Sequence, residues 1–127
     1  MERKIRIKAG GVEAEAVLND SPTARKVWEA LPMEARGNTW GDEIYFSIPV
    51  KTGLEDGARE VVQVGDLGYW PSGNAFCIFF GPTPMSRGNE VRAASSVNVI
   101  GKVSGDAKIF KKVAPGAKVT IEKAAKE

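Results

Sequence analysis

The residues with the means to do chemistry gather in two short stretches. The first is TWGDEIYFS, residues 39–47. On a strand, Glu43, Tyr45 and Ser47 share one face, because successive side chains alternate. Asp42 and Asp66 stand in neighbouring turns. A carboxylate facing a cleft there accepts a hydrogen bond from an amine or amide ligand. The same residues also read as a solvated strand face with two turn acids, since Asp in turns bonds its own backbone.

The second stretch is GDLGYWPSGNAFCIFFGPTP, residues 65–84, with five of the ten aromatic side chains. Tyr69 and Trp70 precede Pro71 at a strand end, and amphipathic rings of this kind line binding grooves. Trp40, in a turn beside Gly41, joins them. Trp40, Glu43, Tyr45, Tyr69 and Trp70 are therefore the candidate ligand-binding residues. Ala75 to Phe80 is apolar on both faces and reads as a central strand. One of its faces fills the core. The other is covered by a helix, with Trp28 as a plausible cover, or is left as a cleft.

Other chemistry is excluded. The chain has no histidine, which removes Ser-His-Asp and Cys-His catalysis and His-based zinc sites. A metal site would need carboxylates alone. No catalytic residue, metal or cofactor is expected. Gly81-Pro-Thr-Pro84 lacks the G-x-x-x-x-G-K-[ST] spacing of a phosphate loop, and proline removes amide donors; it reads as a rigid strand exit. Cys77 has no cation beside it to stabilise a thiolate and reads as an inert buried thiol.

The elements that must hold these residues fit one domain over residues 1–127. The hydrophobic fraction of 43% and charged fraction of 27% are ordinary for a soluble globular protein. The net charge of +2, spread along the chain, argues against nucleic acid. A single cysteine allows no intramolecular disulfide and points to the cytoplasm. There is no signal-like start and no apolar run near ~20 residues, so a membrane is not expected.

Lys4–Lys8 alternates, Gly10-Gly11 supplies a hairpin turn, and residues 12–18 return. A two-residue loop pairs Ala9 with Val12, Lys8 with Glu13, Ile7 with Ala14 and Arg6 with Glu15, giving one ionic and one apolar face. Ser21 and Pro22 start a helix with the stripe Ala24, Val27, Trp28, Leu31, and Pro32 ends it. Strands follow at 43–48, 61–64, 67–70, 75–80 and 97–103, with a long loop at 81–96. Asp106 caps a short helix, and residues 117–122 close the chain. Many short strands with two short helices predict a mainly β, closed or nearly closed barrel with helices at its ends.

With specific residues in place, this order resembles the cyclophilin fold. IRIKAGGVEAEAVLNDSPTARKVWEAL is similar to the opening hairpin and first helix, GNAFCIFF to the Gly-led central strand, VNVIGKVSGDAKIFKKV to the strand, Gly-Lys-Val turn and second helix, and AKVTIEKA to the closing strand. NTWGDEIYFSIP and GDLGYWPSGNAFCIFFGPTP resemble the signature of a small prokaryotic cyclophilin-like family whose function is not established. Cyclophilins are prolyl isomerases that lower an amide rotation barrier of ~18–20 kcal/mol. The resemblance implies an arginine aimed at the prolyl nitrogen, a glutamine holding the peptide and an aromatic proline pocket. Here the glutamine falls near Ala75 and the pocket phenylalanine near Cys77. The strand for the arginine carries Glu43 instead, and the pocket histidine has no counterpart. Arg36, Arg87 and Arg92 read as turn or loop residues.

Three functions stay open: binding of a peptide or small molecule in an aromatic-lined cleft without isomerase activity, an isomerase with a rearranged site, or an interaction module of a larger enzyme. The corresponding partners are a peptide or small-molecule ligand, a second copy of the chain, or a larger enzyme.

Overall fold

The computed structural model describes residues 3–124. Strands β1 (Arg3–Ala9) and β2 (Val12–Leu18) form the opening hairpin in the register that charge alternation demands, with Lys8 opposite Glu13 and Arg6 opposite Glu15. Ile5, Ile7, Ala14 and Ala16 point into the core. On the outer face the Arg6 guanidinium meets Glu13 at 3.3 Å, Glu15 at 3.4 Å and Glu122 at 3.5 Å. These partly exposed pairs set register more than they add stability.

Helix α1 (Pro22–Glu29) begins at Ser21, whose Oγ accepts from the Ala24 amide at 3.2 Å. It buries Thr23, Ala24 and Val27. Trp28 is half-buried against the main core, with Lys123 Nζ 4.6 Å from its ring centroid. The chain leaves through a cis Leu31–Pro32 peptide.

Eight more strands follow: β3 (Met33–Arg36), β4 (Asn38–Thr39), β5 (Glu43–Ser47), β6 (Arg59–Val62), β7 (Asp66–Trp70), β8 (Ala75–Phe79), β9 (Val91–Val103) and β10 (Lys118–Lys123). A 3-10 turn at Pro71–Gly73 joins β7 to β8, and a 3-10 helix spans Ala107–Lys112 with Asp106 as its cap. The sheet order is β3-β10-β1-β2-β9-β7-β8-β5-β4, with β6 attached to β9. The fold is mainly β as expected, and the sheet is not closed by hydrogen bonds, because no ladder joins the end strands β3 and β4. They are consecutive pieces of chain meeting at Gly37. β3 pairs with β10 and β4 with β5. A side chain at Gly37 would lie 3.1 Å from both Ile44 and Val119, so the sheet's two ends approach each other at this glycine.

β8 pairs with β5 on one side and β7 on the other, which makes it an interior strand. Phe76, Ile78 and Phe80 enter the main core with Ile44, Phe46 and Tyr69. Phe46 and Phe76 stack with centroids 5.4 Å apart. Ala75, Cys77 and Phe79 face the other way, into a second cluster with Val62, Val91, Ala93 and Val97. The cover on that face is thus β6 and the first part of β9, not helix α1.

β9 also corrects the expected loop at 81–96, since the strand already begins at Val91. Its first part pairs with β6 and its last part with β7 and β2. Arg92 therefore sits on a strand and Arg36 ends one, while Arg87 remains between elements. The Gly-Lys-Val segment that the resemblance labels a turn lies in β9, in agreement with the strand expected at 97–103. Gly101 lies between Leu18 and Leu67, where a Cβ would come 2.4 Å from the Val17 carbonyl oxygen.

A buried polar node fastens the 51–58 loop. Asn98 is 1% exposed. Its amide donates to Thr23 Oγ1 and the Gly53 carbonyl, each at 3.0 Å, and its oxygen accepts from the Glu55 amide at 2.8 Å. The Glu55 carboxylate in turn accepts from the Thr23 amide and hydroxyl. No buried side-chain polar atom here lacks a partner, which is what burial requires.

Candidate functional site

The outer face of the β5–β8 pair carries a cleft. Glu43 and Tyr45 stand on it because Ile44 and Phe46 take the inward positions. Antiparallel pairing places Tyr45 opposite Cys77 and Glu43 opposite Phe79, so the Glu43 and Cys77 side chains are diagonal neighbours on one face. β9 crosses above with Ala93, Ala94 and Val97, and Trp70 arrives from the end of β7. The cleft lined by Trp40, Glu43, Tyr45, Trp70, Ala93, Ala94 and Val97 encloses about 230 Å³.

Two aromatic walls are fixed by local structure. Trp70 donates from Nε1 to Ser95 Oγ at 2.6 Å, which ties the ring to β9. Trp40 rides on the tight turn Trp40-Gly41-Asp42. Gly41 has φ +60, and a Cβ there would meet Thr83 Cα at 2.9 Å. The Asp42 amide donates to the Pro82 carbonyl and the Phe80 amide to the Asp42 carbonyl, both at 2.9 Å. The Gly-Pro-Thr-Pro run is thus the platform on which the Trp40 turn rests. Thr83 Oγ1 donates to the Arg92 carbonyl, which binds this platform to β9. Gly68 clears the floor, since a Cβ there would press on Phe79 and Val97 at 3.1 Å.

Glu43 is only 5% exposed. The solvated-face reading fails for it because β9 and the two tryptophans cover the strand. It holds for Ser47, which is exposed and donates to the Gly73 carbonyl at 3.0 Å. Burial raises the Glu43 carboxyl from an ordinary 4.5 to about 7, partly opposed by a hydrogen bond with the Cys77 thiol. Burial pushes the Cys77 thiol well above its ordinary range, and the neighbouring Glu43 adds to this. The thiol is therefore neutral and unreactive. No lysine or arginine is among the lining residues. Arg92, next to Ala93, is held by Glu90 at 2.6 Å and Glu60 at 2.9 Å. Among the described residues no cluster of metal-ligating side chains occurs, and no helix is long and apolar enough to cross a membrane.

Four of the five expected residues, Trp40, Glu43, Tyr45 and Trp70, come together here. Tyr69 does not. It points inward, fully buried, with its hydroxyl donating to the Val50 carbonyl at 2.6 Å and lying 3.1 Å from Asn74 Oδ1. Adjacent strand residues face opposite ways, so Tyr69 and Trp70 cannot share the cleft. Val97 opens the expected strand at 97–103, and Ala93 and Ala94 fall in the expected loop at 81–96. The buried alternation of Val91 and Ala93 is a weak period-two signal that could have found them.

A family model for cyclophilin-like proteins matches residues 3–122. The chain belongs to the cyclophilin-like family. A solved relative agrees: the solution structure of the hypothetical protein AF2241 from Archaeoglobus fulgidus is 41% identical, covers 97% of this chain and 95% of its own, and superposes with a TM-score of 0.82. No curated protein matches. In this cyclophilin-like chain, the positions to which the resemblance assigns the glutamine and the pocket phenylalanine, Ala75 and Cys77, lie on the β8 face beneath the cleft.

Proposed function

We infer that the protein is a single-domain cyclophilin-like binding module that holds a small molecule or one peptide side chain in the Trp40–Trp70 cleft and does not isomerise prolyl bonds. One observation carries this reading: the cleft is open and aromatic-walled, while its charged lining group is a carboxyl where isomerisation needs a cation. At about 230 Å³ it falls below the roughly 300–1,000 Å³ of sites for drug-sized ligands, which favours a single head group. An isomerase works by withdrawing electron density from the prolyl nitrogen. A carboxyl cannot donate in that way once ionised, and Arg92 is already engaged by two glutamates.

The test has two parts. In a proline-peptide isomerisation assay the protein is expected to match buffer; a catalysed rate would overturn the non-isomerase half. Mass spectrometry of gently purified protein, with a crystal structure of the same sample, is expected to show a small molecule in the cleft. A cleft sealed by its own tryptophans would refute the binding half and favour an interaction module.

A further inference from the structure

We propose that the cleft receives a methylated or alkylated ammonium group, with Trp40, Tyr45 and Trp70 as its aromatic walls and Glu43 as its counter-charge. This rests on the reading of the cleft as a binding site and adds the ligand's chemical class.

The lining residues select by elimination. Three of the seven are aromatic, and two of those are tryptophan, the ring that attracts cations most strongly. Ala93, Ala94 and Val97 offer no side-chain hydrogen bonds. The Trp70 N–H is already bound to Ser95. A ligand rich in polar groups would leave them unpaired, at a desolvation cost. An anion would meet the Glu43 carboxylate with no lining cation to offset it. A primary ammonium carries three N–H donors and finds two side-chain acceptors among the lining residues, the Glu43 carboxyl and the Tyr45 hydroxyl, which leaves one donor over. A methylated ammonium keeps the charge, sheds donors, and packs its methyl groups on rings and alanines.

Glu43 is available for this role. Among the described residues it makes no ion pair. Its neighbour Asp42 lies 3.7 Å from Lys111, and Arg92 is taken by Glu60 and Glu90. The titratable groups facing Glu43 are Cys77 on β8 and Tyr45 on its own strand, while β7 and β9 present Trp70, Ala93, Ala94 and Val97, which do not titrate. Burial lifts the carboxyl to about 7, so it is charged above neutrality and neutral in mild acid. A quaternary ammonium is charged throughout, so the pH dependence of its binding reports Glu43.

The experiment compares choline with its neutral carbon isostere, 3,3-dimethylbutan-1-ol, by calorimetry and by the indole resonances of Trp40 and Trp70. Choline is expected to bind about tenfold tighter than the isostere at alkaline pH, the scale of a desolvated cation–aromatic contact. That preference should shrink in mild acid. Glu43→Gln should reduce it at alkaline pH to the value that wild type shows in mild acid, where only the rings contribute. Should that variant not fold, the wild-type pH comparison stands alone. A peptide bearing trimethyl-lysine names the source. Tighter binding than choline indicates a protein side chain, and weaker binding a free small molecule. Equal binding of choline and isostere at alkaline pH would overturn the ligand class and leave the cleft reading intact. Failure of both, while other fragments shift the two indoles, would do the same. Failure of every fragment to move either indole would remove the cleft reading as well.

Discussion

Replacing Glu43 by glutamine should stabilise the protein in alkali and leave it unchanged in acid. The carboxyl rises from 4.5 to about 7 in the folded state, so the folded protein holds this proton more tightly than the unfolded chain. Wild-type stability is therefore greatest below 4.5 with respect to this group and falls as pH rises toward 7, where the loss is complete. At 1.36 kcal/mol for each pH unit the loss is about 3 kcal/mol. Glutamine has the shape of the protonated acid and no proton to lose, so its curve lacks this decline. The variant should match wild type below pH 4.5, diverge from it as pH rises through mild acid, and exceed it by about 3 kcal/mol above neutrality. Urea unfolding across the pH range measures this, since slopes of ~1–3 kcal/mol/M turn the difference into a midpoint shift on the order of 1 M or more. Parallel curves for the two proteins would mean that Glu43 ionises without cost, and the covered carboxyl described above would be wrong.

Other expectations concern the frame around the cleft. Gly101→Ala forces a methyl to within 2.4 Å of the Val17 carbonyl oxygen, which backbone alone must relieve; thermal melts should show a loss of about 3 kcal/mol. Asn98→Ala strands the Glu55 amide and the Gly53 carbonyl, at roughly 2–3 kcal/mol by chemical denaturation, and should raise hydrogen exchange in the 51–58 loop. Cys77, 1% exposed with its thiol held neutral, should resist alkylation in the folded protein and react only under denaturant; rapid labelling under native conditions would contradict its placement beneath β9.

Much of the fold was legible because its signals are local. The Lys8–Glu13 and Arg6–Glu15 pairing follows from alternation around Gly10-Gly11, and the helix start follows from Ser21-Pro22. Long-range features were not. Nothing near Glu43 in the chain announces that β9, some fifty residues on, covers it, so a buried carboxyl looked like a solvated one. The first part of β9 was masked by small residues, Ala93 to Ser96, that resemble a loop in isolation. Tyr69 was misplaced by its company: next to Trp70 and Pro71 it looks like a groove residue, yet strand alternation sends its ring inward, where Val50 and Asn74 satisfy its hydroxyl.

The location of the binding site is tested most directly by chemical-shift mapping of a small-molecule library on labelled protein, read at the three indole N–H resonances. Trp40 and Trp70 line the cleft, and Trp28 lies elsewhere beneath Lys123, so the third resonance is an internal control. Binders should move the Trp40 and Trp70 signals and leave Trp28 still. Binders that shift Trp28, or that leave both cleft indoles unmoved, would contradict the account.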